Sequence, residues 1–235
     1  MKLLLITPTL NEEQRIVTHL ENVKCFIESL AKYILVEAVF IDGGSRDNTK
    51  QILEKENLIS KPGSNIYAAF NIGIKFGLEK NYDHIMFLGV GDALNHCALD
   101  CKKHTNTKFF YEKQGWIIYG DFLWSNGKRI NSEFNLNNGR LGFPHSGTIF
   151  PISLFDSNYF NEDYQIAGDL DWLIRSWHLM IQLPNHKTTE PFVTLLTDGV
   201  SMSNSRKHLH LREYLLICLT NKTIPSLKVI LKKII

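Results

Sequence analysis

Short, nearly continuous apolar runs that each end in a turn of small or acidic residues constrain this chain more than any other feature. Leu3-Leu4-Leu5-Ile6 leads into Thr7-Pro8-Thr9, and Ile34 to Ile41 leads into Asp42-Gly43-Gly44-Ser45. Ile85-Met86-Phe87-Leu88 leads in the same way into Gly89-Val90-Gly91-Asp92. A strand that is apolar on both faces must be covered on both faces, so these runs predict an α/β chain with a mostly parallel sheet between helices. The intervening segments have the helical period. Ile16, Leu20, Val23, Ile27 and Leu30 line one face in steps of four and three, and 66–78 reads as a further helix. Thr9-Leu10-Asn11-Glu12 has capping-box spacing ahead of the first helix.

The pattern changes in the second half. Trp116 to Trp124 and Arg129 to Phe134 read as strands joined by the turn Ser125-Asn126-Gly127, and His145 to Phe150 as another strand. Asp169 to Leu179 and Lys207 to Leu219 read as helices. No Pro/Gly/Ser linker separates the halves, which predicts one domain over 1–220 with two lobes, about 1–115 and 116–220. A tail over 221–235 follows. In it Leu227, Ile230, Leu231 and Ile234 share a helical face flanked by Lys228, Lys232 and Lys233. Such a basic amphipathic helix suits an anionic membrane surface, or equally a packing face on the domain or on a second subunit.

Composition removes several classes. Of the 235 residues 44% are hydrophobic, too many for a disordered chain. Lys plus Arg number 26 against 24 Asp plus Glu, so no general basic surface is available for nucleic acid. Met1-Lys2 is followed by only four apolar residues before Thr7, too few for a signal peptide or a membrane span. The expectation is a cytoplasmic protein, peripheral at most on the inner face of the membrane, whose four cysteines are free thiols. His96, Cys97, Cys101 and His104 resemble half a zinc cluster, but no second pair follows at finger-like spacing.

In open α/β sheets, ligands bind beyond the carboxyl ends of the strands. Two acids, Asp42 and Asp92, and two Gly-rich turns fall at such ends and suit a phosphate-bearing ligand with a divalent metal. Asp42-Gly43-Gly44 also fits a tight turn whose Asp bonds its own backbone, and Asp92 fits a helix N-cap. Gly89-Val90-Gly91 begins a dinucleotide fingerprint that Leu94 breaks, and no Gly-rich loop follows the first strand.

Taken together the segments resemble a known family. Ile6-Thr7-Pro8-Thr9-Leu10-Asn11-Glu12-Glu13 is similar to its opening strand and loop, and Phe40-Ile41-Asp42-Gly43-Gly44-Ser45-Arg46-Asp47-Asn48-Thr49 to its nucleotide motif. Ile66 to Ile74 is similar to its "IYDAMNKGI" helix, and Leu88 to Asp92 to its metal turn. His145-Ser146-Gly147-Thr148 and Ile166-Ala167-Gly168-Asp169-Leu170-Asp171-Trp172-Leu173-Ile174-Arg175 complete the order. The family is the family-2 glycosyltransferases of GT-A fold, in particular those that make bacterial surface polysaccharides of the colanic-acid, O-antigen and capsule type.

The resemblance implies a GT-A domain over 1–220: one Rossmann-like, mostly parallel sheet with helices on both faces and a C-terminal helical extension. Residues 1–115 would bind the nucleotide and 116–220 the acceptor. It implies a hexosyltransferase that inverts the anomeric centre, moving sugar from a UDP- or GDP-type donor to a glycan or lipid-linked acceptor. The donor site would comprise Thr7, Pro8, Thr9, Glu12, Asp42, Ser45, Asp47, Asn71, Gly91 and His145. Asp42 would accept from the base ring N–H, and Asp92 would hold Mn²⁺ or Mg²⁺ against the diphosphate. Three departures stand out: Ala68 replaces the usual Asp, Asn65 the usual Gly, and Val90-Gly91 the usual second acid before Asp92. Gly73 matches, yet close helix–sheet packing would also require it. His145 suits a pocket wall or a plain structural role, and Asp121, after Tyr119-Gly120, a site position or a turn.

An inverting transfer needs one carboxylate beside the acceptor hydroxyl. Asp169 and Asp171 point about 200° apart on a helix, so both cannot serve one site. Asp171 precedes Arg175 by four residues, the spacing of a helix ion pair. Asp169 follows Gly168 at the helix start, and the family places its base at the first acid of this motif. Asp169 is therefore the expected base. Another nucleotide-dependent transferase, or a non-catalytic nucleotide-sugar binder that has kept the fold, are the alternatives, and Ala68 bears on the last.

Overall fold

Alternation along the first strand, β1 (Lys2–Thr9), sets the layering: Leu3 and Leu5 enter one core, Leu4 and Ile6 the other. The computed structural model describes residues 1–95, 112–137, 140–197 and 206–222. From β1 the chain runs through α1 (Ile16–Leu30), β2 (Leu35–Asp42), α2 (Thr49–Leu53), β3 (Leu58–Ser60), α3 (Ile66–Glu79), β4 (His84–Phe87) and β5 (Ala93–Leu94). The second half contributes β6 (Ile117–Tyr119), β7 (Phe122–Trp124), β8 (Arg129–Ile130), β9 (Leu136–Asn137), β10 (Arg140–Leu141) and β11 (Ile149–Pro151). A 3₁₀ turn over Ile152–Phe155, then α4 (Gly168–Met180), β12 (Asn185–Lys187), β13 (Val193–Leu195) and α5 (Lys207–Thr220) complete the order.

The central sheet is ordered β12-β6-β11-β4-β1-β2-β3. Every neighbouring pair is parallel except those made by β11, so the mostly parallel sheet expected from the apolar runs is what forms. The carboxyl ends of β1, β2, β4 and β6 therefore share one edge, and antiparallel β11 begins there. A smaller sheet, β5-β13-β7-β8, grows from the same edge, since β5 follows β4 and β7 follows β6. One face of the central sheet packs on α1 through Ile16, Leu20, Val23, Phe26 and Leu30. The other packs on α3 and α4 through Tyr67, Phe70, Ile74, Trp172 and Leu173. Phe26 replaces Ile27 as the buried member of the α1 stripe, with Ile27 at its rim.

Three local expectations are corrected. No capping box forms: α1 starts at Ile16 without a side-chain cap, Thr9 ends β1 with its hydroxyl on the Ile41 carbonyl, and Glu12 accepts from Arg15 Nε at 3.0 Å. The strand expected over Trp116 to Trp124 breaks at Gly120-Asp121. There the buried Asp121 carboxylate accepts from Arg129 (2.8 Å), Lys187 (2.7 Å) and the Ser132 N–H (2.9 Å), which carries the chain into the second sheet. The strand expected from His145 starts only at Ile149, because Thr148 bonds back to His145 and Pro144 in a turn. The His96–His104 cluster and the amphipathic tail over 223–235 lie outside the described residues. Cys25 and Cys218 are free thiols, and no described helix is long and apolar enough to cross a membrane.

Helix α3 lies so close to β1 that a methyl group on Gly73 would overlap the Ile6 side chain. Packing accounts for this glycine without a ligand. Ile6 is fully buried and has nowhere to retreat, so Gly73→Ala is expected to destabilise the domain by about 1–3 kcal/mol. Urea denaturation at constant m-value measures it, and an unchanged midpoint would show that α3 can slide.

Candidate active site

The loop after β1 and the loop after β2 are laced together by acid and amide side chains. Ser45 Oγ accepts from the Asn11 N–H and Asn11 Oδ1 from the Arg46 N–H, both at 2.9 Å. Asp47 accepts from the Glu13 N–H (3.1 Å) and, through its other oxygen, from the Thr49 hydroxyl (2.6 Å). Thr49 Oγ1 in turn accepts from the Glu12 N–H at 2.7 Å. Asp42 is buried and takes the Gly44 N–H (3.0 Å), the Ser45 N–H (3.1 Å) and the Ser45 hydroxyl. Its geometry is that of the self-bonded turn.

Several residues expected to meet the donor thus have their polar atoms turned inward. Thr7 and Thr9 are buried, and Thr7 Oγ1 lies 3.4 Å from His19 Nε2. Asn71 is the clearest case. Its Oδ1 accepts from the Phe160 N–H, and its Nδ2 donates to the Phe160 carbonyl (3.0 Å) and to Glu162 (2.8 Å). It ties α3 to the loop at 160–162 and, being buried, presents nothing to a ligand. Pro8 and Glu12, at the end of β1 and in the loop after it, stay partly open.

The turn after β4 holds Asp92 on the same edge. Gly91 adopts φ +95°, and any side chain there would overlap Leu196. Asp92 leads into β5, so it caps no helix. Its Oδ2 accepts from Ser146 Oγ at 2.9 Å and its Oδ1 from the Leu196 N–H at 3.1 Å. Burial pushes this carboxyl above its usual range, and the two hydrogen bonds and nearby His145 only partly offset it. Among the described residues, no three His, Cys, Asp or Glu side chains converge as a metal cluster.

Asp169, in the first turn of α4, sits beside this turn. Its Oδ2 lies 3.1 Å from His145 Nδ1, and its Oδ1 accepts from the Tyr67 hydroxyl at 3.3 Å. The His145 ring packs edge-on to Phe70 and tilted against Phe87, which fixes its direction. About a quarter of each partner's side-chain surface is open, 25% for His145 and 29% for Asp169, so a substrate can reach a pair that is otherwise enclosed. Burial works against both charges. It is outweighed by mutual attraction and the shared hydrogen bond, which hold Asp169 below and His145 above their usual ranges. His210 on α5 adds to the lowering at Asp169.

The departures from the family pattern have structural answers in part. Asn65 caps α3, accepting from the Ala68 N–H at 2.8 Å, and donates to the Glu162 and Tyr164 carbonyls. Nothing in the structure explains Ala68. Asp171 pairs with Arg175 at 2.7 Å and is buried, as its spacing predicts. Asp121 is a structural post. Burial opposes its ionisation, yet Lys187, the Ser132 N–H and Arg129 bring its carboxyl to about 2.

Tyr67, Ser146 and Glu213 join the site although no sequence feature singles them out. Tyr67 lies within the 66–74 helix segment, and Ser146 directly follows His145. Glu213 carries no local signal at all, because its partners lie 46 to 48 positions away in the chain.

The family model described as glycosyl transferase family 2 matches residues 4–89, the segment that carries the laced loops and Gly89. No curated protein matches the chain. Among solved structures, S. aureus TarS 1–349 in complex with UDP-GlcNAc is 20% identical, with a TM-score of 0.67 over 93% of this chain and 66% of that one. Glucosyl-3-phosphoglycerate synthase from Mycobacterium tuberculosis, solved with Mn²⁺, UDP and phosphoglyceric acid, is 15% identical, with a TM-score of 0.62 over 96% of this chain and 80% of that one. The architecture is the GT-A fold. The chain spans just under two thirds of the TarS structure.

The Asp169–His145 pair ties the stability of the fold to pH. Asp169 contributes stability above about pH 4 that is lost as pH falls through its lowered value. His145 contributes below about pH 6.5, and that is lost as pH rises through its raised value. The pair therefore stabilises the fold most between those limits. His145→Gln should move the Asp169 titration upward toward the ordinary carboxylate range, read by carboxyl ¹³C NMR, and an unmoved titration would show that the pair is not coupled.

Proposed function

We propose that this chain is an inverting glycosyltransferase that moves a sugar from a nucleoside-diphosphate donor to an acceptor hydroxyl, with Asp169 as the base. One observation carries the reading. The consecutive residues His145 and Ser146 each hold a carboxylate, Asp169 at 3.1 Å and Asp92 at 2.9 Å, so both acids meet across a single dipeptide at the carboxyl edge of the sheet. A base and a leaving-group site have to be that close, because the acceptor oxygen and the diphosphate bond to opposite sides of the same anomeric carbon.

Asp169, kept ionised by His145, receives the acceptor proton as the new glycosidic bond forms and the donor's bond to the diphosphate breaks. Tyr67, whose phenol is pushed well above its usual range by burial and by Asp169, stays protonated and holds the carboxylate in place. The fold family implies a divalent metal, and Asp92 fits one. It is a hard oxygen donor at the sheet edge whose raised carboxyl a dication would return to the ionised form. With no further acid among the described residues converging on it, the remaining ligands would be diphosphate oxygens and water, and the metal would neutralise the departing diphosphate. His145, beside both acids, would face the donor phosphates. The turns carrying Pro8, Glu12, Ser45, Asp47 and Gly91 would frame the nucleotide with their backbones, and Thr7, Thr9, Asp42 and Asn71 would hold those turns from inside.

UDP donors are favoured, because TarS was solved with UDP-GlcNAc and the mycobacterial synthase with UDP and Mn²⁺. The similarity of the 166–175 segment to surface-polysaccharide transferases supports a glycan or lipid-linked acceptor in bacterial cell-envelope synthesis. The basic tail at 221–235 supports cytoplasmic-leaflet contact with such an acceptor.

Asp169→Asn should keep UDP affinity and lose transfer by about 10²–10⁴-fold. Asp171→Asn should cost on the order of 3 kcal/mol of stability by breaking a buried pair, with the rate largely retained. Calorimetry with UDP, a transfer assay and thermal melts separate the two, and the reverse outcome would move the base to Asp171. EDTA should abolish transfer and Mn²⁺ restore it, while Asp92→Ala should stay folded and unrestored. Full activity of Asp92→Ala would remove the metal assignment.

A further inference from the structure

Glu213 is the only acid on α5, and it points inward. With Tyr214, Ile217 and Cys218 it forms the buried face of that helix, and only 6% of the residue is exposed. A buried carboxylate is costly unless its oxygens are satisfied, and an apolar side chain in the same place would avoid that cost. What Glu213 does with its charge is specific. Oε1 accepts from the Gln165 N–H at 2.8 Å, and Oε2 accepts from the Ile166 N–H at 3.0 Å and the Ala167 N–H at 2.9 Å. Three consecutive backbone donors thus converge on one carboxylate, a charge-assisted arrangement that fixes both the position and the direction of that backbone. The next two residues are Gly168 and Asp169.

The rest of α5 continues the contact. Tyr214 and Cys218 pack with Leu170, and Asn221 Nδ2 reaches Asp171 Oδ1 at 3.3 Å. Gln165 to Ala167, Leu170 and Asp171 are thus held by α5 and its C-cap residue Asn221.

We propose that Glu213 is a positioning residue for Asp169: by fixing the backbone of 165–167 it makes α4 begin where the Asp169 carboxylate meets both His145 and Tyr67. The inference rests on the reading of Asp169 as the base. It gives α5 a part in the reaction without contact with substrate. Misplacement of a reacting group by about 1 Å can cost about 10²-fold in rate, so a modest shift of this backbone is enough to be seen.

The test compares Glu213→Gln, Glu213→Ala and Asp169→Asn in the full chain. Glu213→Gln keeps one acceptor oxygen and the same length. It should lower kcat for transfer by about 10–100-fold with donor KM within about twofold and the melting temperature within a few degrees. The acid limb of its kcat–pH profile should move to higher pH, because Asp169 separates from His145. Glu213→Ala should lose more kcat, so that Gln counts as a partial rescue. Faster amide exchange at 165–167 in Glu213→Gln is expected alongside. Wild-type kcat and pH profile in Glu213→Gln, beside an inactive Asp169→Asn, would overturn this inference and leave the base standing. So would a kcat loss that only tracks a fall in melting temperature with the acid limb unmoved. Normal transfer by Asp169→Asn would overturn the base assignment and the inference with it.

Discussion

Two carboxylates brought to a single dipeptide are what the edge of this sheet is organised around. Asp92 arrives from the end of β4 and Asp169 from the start of α4, more than seventy positions apart in the sequence. Each is partly withdrawn from water, so each carboxylate needs a donor to hold its charge. Ser146 gives one a neutral donor and His145 gives the other a cationic one, so the two acids have different electrostatic surroundings. The consequence is opposite displacement: burial raises Asp92, while His145 lowers Asp169. Groups whose environments push them apart in this way can take different chemical roles at one pH.

Acids elsewhere in the domain are used differently. Asp42, Asp47 and Glu213 bond backbone N–H groups of neighbouring turns, and Asp121 bonds a backbone N–H together with two cations. Each fixes a loop that regular hydrogen bonding would leave unsupported, because loops at the sheet edge cannot complete their own ladders. The rigid loops at 11–13 and 45–49 and the start of α4 are all obtained this way. An open edge dense in acids is therefore not an edge dense in available ligands.

That distinction marks how much of the molecule its sequence reveals. β1, α1, β2, α3 and β4 are legible because apolar runs and the helical period are local signals, and Asp171–Arg175 is legible because a helix repeats every few residues. Asp169 at the head of α4 is legible for the same reason. The inward turning of Asn71 is not, since its partners at Phe160 and Glu162 are supplied by tertiary packing. The break at Gly120-Asp121 is likewise decided by Arg129 and Lys187, the second of them more than sixty positions on. Helix α1 shows the opposite failure: Thr9 and Glu12 satisfy a local capping rule, but the lacing of 11–13 to 45–49 claims that stretch first.

Strand β11 runs against its neighbours, and Ile149 pairs with Ile118 of β6. The excursion between them leaves the sheet and returns to it with both ends pinned on adjacent strands. For a loop closed in this manner, each doubling of length costs only about 0.6 kcal/mol of closure entropy. The exposed turn at 125–128 can therefore lengthen, shorten or be exchanged while Asp121 and the pairing of β7 with β13 hold the rest of the excursion, and the dipeptide at 145–146, in register. A lineage of such chains could vary that turn freely while the edge of the sheet is carried forward intact.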